Sequence, residues 1–143
     1  MRKIILFLTS ILAFSLVSCI SKKQINQDNL YKTTWELEYI LEPQTPFNDL
    51  YPNKKPEISF NNSTNKVEGN NSCNGYSADY ILKDNQLSFG EPGPTTMMYC
   101  GDGEKVFLDM MKKINRFDFD QSGKLNLMVN EVLIMRFKSV EPH

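Results

Sequence analysis

Hydrophobic and polar residues alternate with a two-residue period along most of the chain beyond residue 33, which is typical of half-buried β-strands. The first such segment is expected to bury a face formed by Trp35, Leu37, Tyr39 and Leu41, with Ile40 on the opposite face. Six similar segments follow at 58–60, 76–82, 86–89, 117–119, 125–129 and 132–138, and a polar turn at 61–65 leads into 66–69. The pattern therefore predicts about seven short strands, with Trp35, the only tryptophan, as a core anchor.

The spacing changes once, near residue 104. Apolar residues then recur at i, i+3, i+4 and i+7, namely at Phe107, Met110, Met111 and Ile114. This spacing places them on one face of an amphipathic helix. We expect that helix at about 104–115.

Residues 42–56 interrupt the alternating pattern with four prolines, Pro43, Pro46, Pro52 and Pro56. Proline removes a backbone donor, so this density excludes a helix or a central strand. We expect an irregular loop that Phe47, Leu50 and Tyr51 pin to the body of the domain.

Short strands in hairpin order with one late helix indicate a mainly β protein. We expect a curled, barrel-like antiparallel sheet, with the helix covering one opening. At 143 residues and without an internal repeat, the chain is expected to form one domain with a sizeable core. We place that domain at 34–140.

The first eighteen residues differ from the rest. A basic start, Arg2-Lys3, precedes a short apolar run that ends in Leu16-Val17-Ser18-Cys19, which favours a secretory signal peptide over a membrane span. This ending resembles the lipobox of bacterial lipoproteins, and the resemblance implies acylation of Cys19. The alternative is a plain signal peptide with an incidental cysteine.

Acylation at Cys19 would anchor the chain to a membrane, and Ile20 after it favours the outer membrane. The polar stretch that follows lacks periodicity, so 19–33 is predicted to be a flexible tether carrying the lipid. We therefore expect a location in the bacterial cell envelope.

Three cysteines are an odd number for an exported protein, but lipidation of Cys19 leaves two. In an oxidising compartment those two, Cys73 and Cys100, are expected to form a disulfide. The alternative is a pair of reduced, buried thiols.

The residues around the two cysteines suit bends between strands. Gly69 and Gly75 permit unusual backbone where strands turn. Asn74 can hydrogen-bond local backbone groups there, and Thr96 offers a hydroxyl to the same loop. Tyr76 and Tyr80, an even number apart on one strand, share a face.

These motifs resemble the META/HslJ domain family. The resemblance rests on Trp35-Glu36-Leu37, on the stretch from Gly69 to Tyr80 that includes Asn74, Gly75 and Tyr76, and on Thr95-Thr96-Met97-Met98-Tyr99-Cys100. It spans about 34–137 and implies a barrel-like β fold with a helix in a small bacterial envelope protein, often a lipoprotein, linked to heat shock and antibiotic tolerance. It brings no established catalytic or ligand-binding residues.

The chain carries few candidates for catalysis. The single histidine is His143, so a Ser-His or Cys-His pair is not expected. Asp118 and Asp120 flank Phe119 on a strand, where same-face carboxylates could hold calcium or act in acid–base chemistry, but a solvated strand edge is the simpler interpretation. We expect no enzyme activity, no cofactor and no metal.

A formal charge of −1 does not favour a nucleic-acid partner, because phosphate binding depends on clustered Lys and Arg. The first hypothesis is a non-catalytic envelope lipoprotein that takes part in stress tolerance or contacts an unidentified envelope protein. The alternatives are a β-barrel that binds a small apolar ligand, and a protease inhibitor that uses the 42–56 loop.

Overall fold

The computed structural model describes residues 26–41, 44–96 and 98–141. The predicted signal peptide, Cys19, Met97 and His143 therefore lie outside the described residues. Within these ranges, eight strands form one antiparallel sheet: β1 Thr34–Ile40, β2 Glu57–Asn61, β3 Lys66–Asn70, β4 Gly75–Lys83, β5 Gln86–Phe89, β6 Arg116–Phe119, β7 Leu125–Val129 and β8 Val132–Val140. Three helical segments accompany them in the described part of the chain: a 3-10 helix at Gln27–Tyr31, α1 at Phe47–Leu50 and α2 at Gly103–Met111.

The mainly β fold class is confirmed. The strands lie in the order β5-β4-β3-β2-β1-β8-β7-β6. The sheet is curled as predicted, but strand pairing does not close it into a barrel. Its two edge strands approach each other through two backbone hydrogen bonds, from Leu87 N–H to the Asn115 carbonyl oxygen at 3.3 Å and from Phe117 N–H to the Asn85 carbonyl oxygen at 3.0 Å. We call this meeting of β5 and β6 the seam.

The inside of the curled sheet is filled by side chains. Trp35 is 2% exposed, and the largest fully buried side chains are Phe107, Phe117, Phe137, Leu30, Leu37, Ile58, Leu87, Met111, Leu125, Leu127, Met135 and Val67. Helix α2 contributes to this core, because the ring of Phe107 packs edge-on against that of Tyr76 at 5.4 Å. Burial of aliphatic and aromatic side chains on this scale supplies the main stabilisation of the domain.

Strand β1 departs from its predicted alternation. A β-bulge lies between Leu37 and Tyr39, where the register against β8 shifts by one residue. Beyond the bulge Ile40 is buried, whereas Tyr39 and Leu41 are exposed, so the predicted faces of these three residues were wrong. The bulged Glu38 turns its carboxylate outward to Lys124 Nζ at 2.8 and 3.0 Å. One extra residue in a strand exchanges the two faces for everything that follows.

Residues 26–33 are not the flexible tether that the sequence suggested. Gln27–Tyr31 form the 3-10 helix, and Leu30 is fully buried. The indole N–H of Trp35 donates to the Leu30 carbonyl oxygen at 3.1 Å, which satisfies its buried donor. A single apolar residue in a polar stretch gives no periodicity, so the pattern could not reveal this docking.

The proline-rich loop also differs from expectation, because it contains the four-residue helix α1. Pro46 occupies the N-cap position of α1. Its missing N–H costs no hydrogen bond there, because backbone N–H groups at the start of a helix have no partner within the helix. The predicted attachment of the loop is confirmed, since Leu50 and Tyr51 are each 4% exposed and Phe47 packs against the core. Helix α2 ends at Met111 rather than 115, and Ile114 is buried in the turn that follows.

Candidate functional site

The two cysteine-containing segments meet at the start of β4. We call residues 71–76 the asparagine loop and residues 95–100 the threonine loop. Cys73 and Cys100 form the predicted disulfide, with their Cα atoms 5.8 Å apart. The threonine loop also runs beside β4, because Thr95 Oγ1 donates to the Gly75 carbonyl oxygen at 2.8 Å.

The Asn74 side chain joins the two loops to helix α2. Its amide nitrogen donates to Glu104 Oε2 at 2.7 Å and to the Met98 carbonyl oxygen at 2.8 Å. Its amide oxygen accepts from Thr96 Oγ1 at 2.9 Å and from the Met98 N–H at 3.1 Å. Both donors and both acceptor positions of the amide are used, which an aspartate or an aliphatic residue could not achieve.

A second buried asparagine completes the connection. Asn71 is 1% exposed, and its amide nitrogen donates to Glu104 Oε1 at 2.7 Å. Its oxygen accepts the Asn74 N–H at 2.8 Å and the Cys73 N–H at 3.3 Å. Each carboxylate oxygen of Glu104 therefore binds one buried amide. Glu104 also lies in the first turn of α2, where the helix dipole favours a negative charge.

Asparagine side chains accept hydrogen bonds from the backbone N–H groups of the sharply turned asparagine loop. Asn70 Oδ1 accepts a hydrogen bond from the Ser72 N–H at 3.0 Å. Asn71 Oδ1 accepts in the same way from the N–H groups of Cys73 and Asn74. Ser72 has φ +90°, a conformation that costs a non-glycine residue energy. The dense asparagine content of this motif follows from the backbone donors that the turn leaves without partners in the sheet.

Two glycines permit close packing around these loops. A Cβ on Gly69 would overlap the Glu57 carbonyl oxygen of the neighbouring strand. A Cβ on Gly103 would overlap the Leu50 carbonyl oxygen and press on the ring of Tyr51, whose hydroxyl donates to the Gly103 carbonyl oxygen at 3.0 Å. Gly75 has no such neighbour, because the nearest atom to its Cβ position lies 3.5 Å away.

These contacts join four segments into one connected unit: the proline-rich loop, helix α2, the asparagine loop and the threonine loop. Burial raises the pKa of the Tyr51 and Tyr76 hydroxyls far above the ordinary value, because it removes water from the charged form. Tyr76 and Tyr80 are both buried on one face of β4, as predicted. The arrangement is suited to fixing the shape of a surface loop.

That loop presents large apolar side chains to solvent. Tyr99 is 84% exposed and Met98 is 61% exposed, although the backbone of Met98 is held by Asn74. A surface groove between the threonine loop and α2 is lined in part by Tyr99, Pro92, Leu108 and Lys105. Exposed aromatic and methionine side chains on a fixed backbone are typical of contact surfaces.

Sequence reasoning missed Glu104 and Asn71 as members of this cluster. Asn71 lies within the stretch from Gly69 to Tyr80 and Glu104 at the start of the predicted helix, but neither position alone indicates that the two side chains meet. The available signal was a carboxylate in the first turn of α2, following a segment rich in amide donors. Asp102 occupies the N-cap position of α2 but makes no side-chain capping hydrogen bond.

Asp118 and Asp120 do not form a joint site. Asp118 Oδ1 accepts from Asn126 Nδ2 at 2.8 Å, across to β7. Asp120 lies in the next turn, where the Ser122 hydroxyl first, and then the Lys124 and Ser122 N–H groups, hold the pKa of its carboxyl below the ordinary value. Each carboxylate thus has a local structural role.

Within residues 26–41, 44–96 and 98–141, no three His, Cys, Asp or Glu side chains group closely enough to ligate a metal ion. None of the helices in these same ranges combines the length and the apolar character needed to cross a membrane.

Comparison with known proteins gives a family and a fold. A family model described as the META domain matches residues 28–141. An NMR structure of a protein from Burkholderia xenovorans is similar, with a TM-score of 0.62 and 22% sequence identity over 80% of this chain and 86% of that chain. Among curated proteins, none matches the chain.

Proposed function

The chain belongs to the META domain family, and we propose that it is a non-catalytic lipoprotein of the bacterial cell envelope that binds another envelope protein through the threonine loop. A lipid on Cys19 would hold it at the outer membrane. Its cellular role would be tolerance of envelope stress.

The observation that carries this proposal is the exposure of Tyr99 and Met98 on a backbone that is held in place. The disulfide and three hydrogen bonds of Asn74 fix the threonine loop, and a fourth hydrogen bond ties Asn74 to Glu104 of α2. Binding through a pre-ordered loop costs less conformational entropy than binding through a flexible one. Tyrosine and methionine are also among the residues enriched at protein interfaces.

The disulfide supports an exported location. A solvent-accessible cross-link of this kind persists in oxidising compartments and is rare in the reducing cytosol. This agrees with the signal peptide and lipobox expected at the start of the chain.

The two alternative functions find less support. The interior of the curled sheet is packed with aromatic and aliphatic side chains, whereas a ligand-binding barrel needs an open apolar interior. The 42–56 loop turns Leu50 and Tyr51 inward and includes helix α1, whereas an inhibitory loop would present an extended, exposed segment to a protease.

A genetic complementation experiment tests the proposal. Deletion of the gene should sensitise the native bacterium to heat or to envelope-active drugs, and the wild-type chain should restore tolerance. A chain carrying Met98→Ser and Tyr99→Ser should be produced at normal levels, since both side chains are exposed, yet fail to restore tolerance.

Val132→Ser is the matched control, because Val132 is 56% exposed and pairs with Val129 in the hairpin of β7 and β8. It should restore tolerance fully. The proposal is wrong if deletion has no effect under these stresses, or if the Met98 and Tyr99 double variant restores tolerance as well as the control does.

A further inference from the structure

The described chain enters the domain beside the turn between β4 and β5. Gln27 Nε2 donates to the Asp84 carbonyl oxygen of that turn at 2.7 Å. The buried Leu30 fixes the 3-10 helix to the body three residues later. The point at which the chain reaches the domain is therefore fixed relative to the sheet.

The distance from this point to a lipid anchor is limited by covalent geometry. If Cys19 carries the lipid, only residues 20–25 separate it from Asn26. Even a fully extended chain covers at most about 25 Å over that interval. The bilayer surface must then lie within roughly one domain diameter of the Asp84 turn.

An exposed apolar side chain lies close to this turn. Ile81 is 74% exposed on the outer face of β4, and the exposed Lys83 shares that face two residues further on. Three residues of strand, roughly 10 Å, separate Ile81 from Asp84. Ile81 also lines a surface groove at the seam, together with Arg116.

We propose that the Asp84 end of β4, with the exposed side chains of Ile81 and Lys83, rests on the bilayer to which the chain is anchored. The inference builds on the lipid anchor of the proposed function. Ile81 enters the boundary between headgroups and acyl chains, while Lys83 extends its ammonium group among the headgroups. The short link raises the local concentration of the membrane at this surface, so that contact between Ile81 and the bilayer is effectively an intramolecular event.

This orientation has a consequence for the threonine loop. Strand β4 contains nine residues and spans roughly 26 Å between the Asp84 turn and the asparagine loop. With the Asp84 end at the membrane, Tyr99 lies on the far side of the domain and faces the aqueous compartment. A protein partner would reach it there.

Fluorescence quenching from within the membrane tests the orientation. The full lipidated chain, with its disulfide intact, is reconstituted into vesicles of equal parts phosphatidylcholine and phosphatidylglycerol that contain a nitroxide-labelled lipid. A bimane label is placed at Ser88→Cys, because Ser88 is exposed and pairs with Ile81 across the strands. The comparison label is placed at Lys105→Cys, beside Tyr99 in the groove along α2.

We expect the lipid quencher to reduce fluorescence several-fold more at position 88 than at position 105. Ile81→Glu should lower quenching at 88 to the level at 105, whereas Ile81→Leu should retain it. Both substitutions lie on an exposed position, and an unchanged unfolding temperature would confirm that they leave the fold intact.

Equal quenching at the two positions, or no effect of Ile81→Glu, would overturn the orientation. So would self-quenching at 88 that rises with the ratio of protein to lipid, because it would show that a second copy of the chain covers Ile81. A Cys19→Ala chain separates this proposal from the preceding one. If that chain stays with the membrane fraction, the anchor itself is wrong; if it is released while quenching is equal, only the docking of β4 is wrong.

Discussion

Replacing Asn74 with alanine should remove the connection between the asparagine loop, the threonine loop and helix α2. The side chain is 2% exposed and makes four hydrogen bonds, one of them to the Glu104 carboxylate. Alanine would leave the Glu104 oxygen and the Met98 backbone groups without these partners. The substitution therefore tests whether the buried amide network, and not the disulfide alone, holds this region.

The expected magnitude follows from the types of bond lost. A hydrogen bond between neutral groups contributes about 0.5–1.5 kcal/mol net, and one to a charged group about 1.5–3 kcal/mol. Thr96 is exposed, so water can replace its bond to Asn74 with little loss. We expect Asn74→Ala to lower the free energy of unfolding by about 3 kcal/mol, a large share of the stability of a small domain.

Urea denaturation of the oxidised Cys19→Ala chain measures this difference, with an unchanged slope against urea as the check on two-state behaviour. Asn115→Ala is the matched control, because Asn115 makes two side-chain hydrogen bonds to Asn130 but is exposed. It should cost less than about 1 kcal/mol. Equal losses for the two variants would refute the reasoning.

Asn74→Asp provides a further check on the same network. Its carboxylate would face that of Glu104, 2.7 Å from the present amide nitrogen, and could not donate. The repulsion should destabilise the domain at neutral pH and weaken when acid protonates the pair. Asn74→Ala should show no such recovery.

The remaining predictions concern the surrounding structure. Gly103→Ala should lower the free energy of unfolding by about 2 kcal/mol or more, because the added Cβ would overlap the Leu50 carbonyl oxygen. Gly90→Ala should be tolerated, because the atom nearest to its added Cβ would lie 3.5 Å away. Thermal unfolding of the two variants measures the difference. Mutating both disulfide cysteines to serine should cost about 3.5 kcal/mol, as expected for a cross-link between positions 27 residues apart, and urea denaturation that shows no loss would contradict this. Ser122→Ala should raise the pKa of Asp120 towards its ordinary value of 3.8, as an NMR titration of the carboxyl carbon would show. The lowered pKa of Asp120 stabilises the fold at pH values above the pKa of this carboxyl in the unfolded chain. That stabilisation is lost as the pH falls through its pKa in the folded chain, so the variant should lose less stability in acid than the wild type.

The period of the hydrophobic pattern predicted the sheet well. Alternation predicted about seven strands where the described sheet has eight, and the change of period identified α2. A half-buried strand and an amphipathic helix leave different periodicities in the sequence. The pattern failed on β1, where the bulge at Glu38 exchanged the positions of Ile40 and its neighbours. Whether an extra residue is accommodated there depends on the partner strand and on Lys124, which lies far away in sequence.

The candidate site was predictable only in part. The cysteine count indicated the disulfide, and the motif pointed to Asn74 and Thr96. The involvement of Glu104 depends on how helix α2 approaches the asparagine loop, and that approach requires Gly103 against Leu50 in the proline-rich loop. Contacts of this kind join segments far apart in sequence, and no local periodicity encodes them.

Photo-cross-linking in living cells tests the proposed contact through the threonine loop most directly. A photoreactive phenylalanine analogue at Tyr99 should yield a discrete cross-linked product with another envelope protein, because that side chain is 84% exposed on a fixed backbone. The same analogue at Val132 should not yield that product. Absence of a specific product at position 99, or the same product from both positions, would contradict a binding role for the threonine loop.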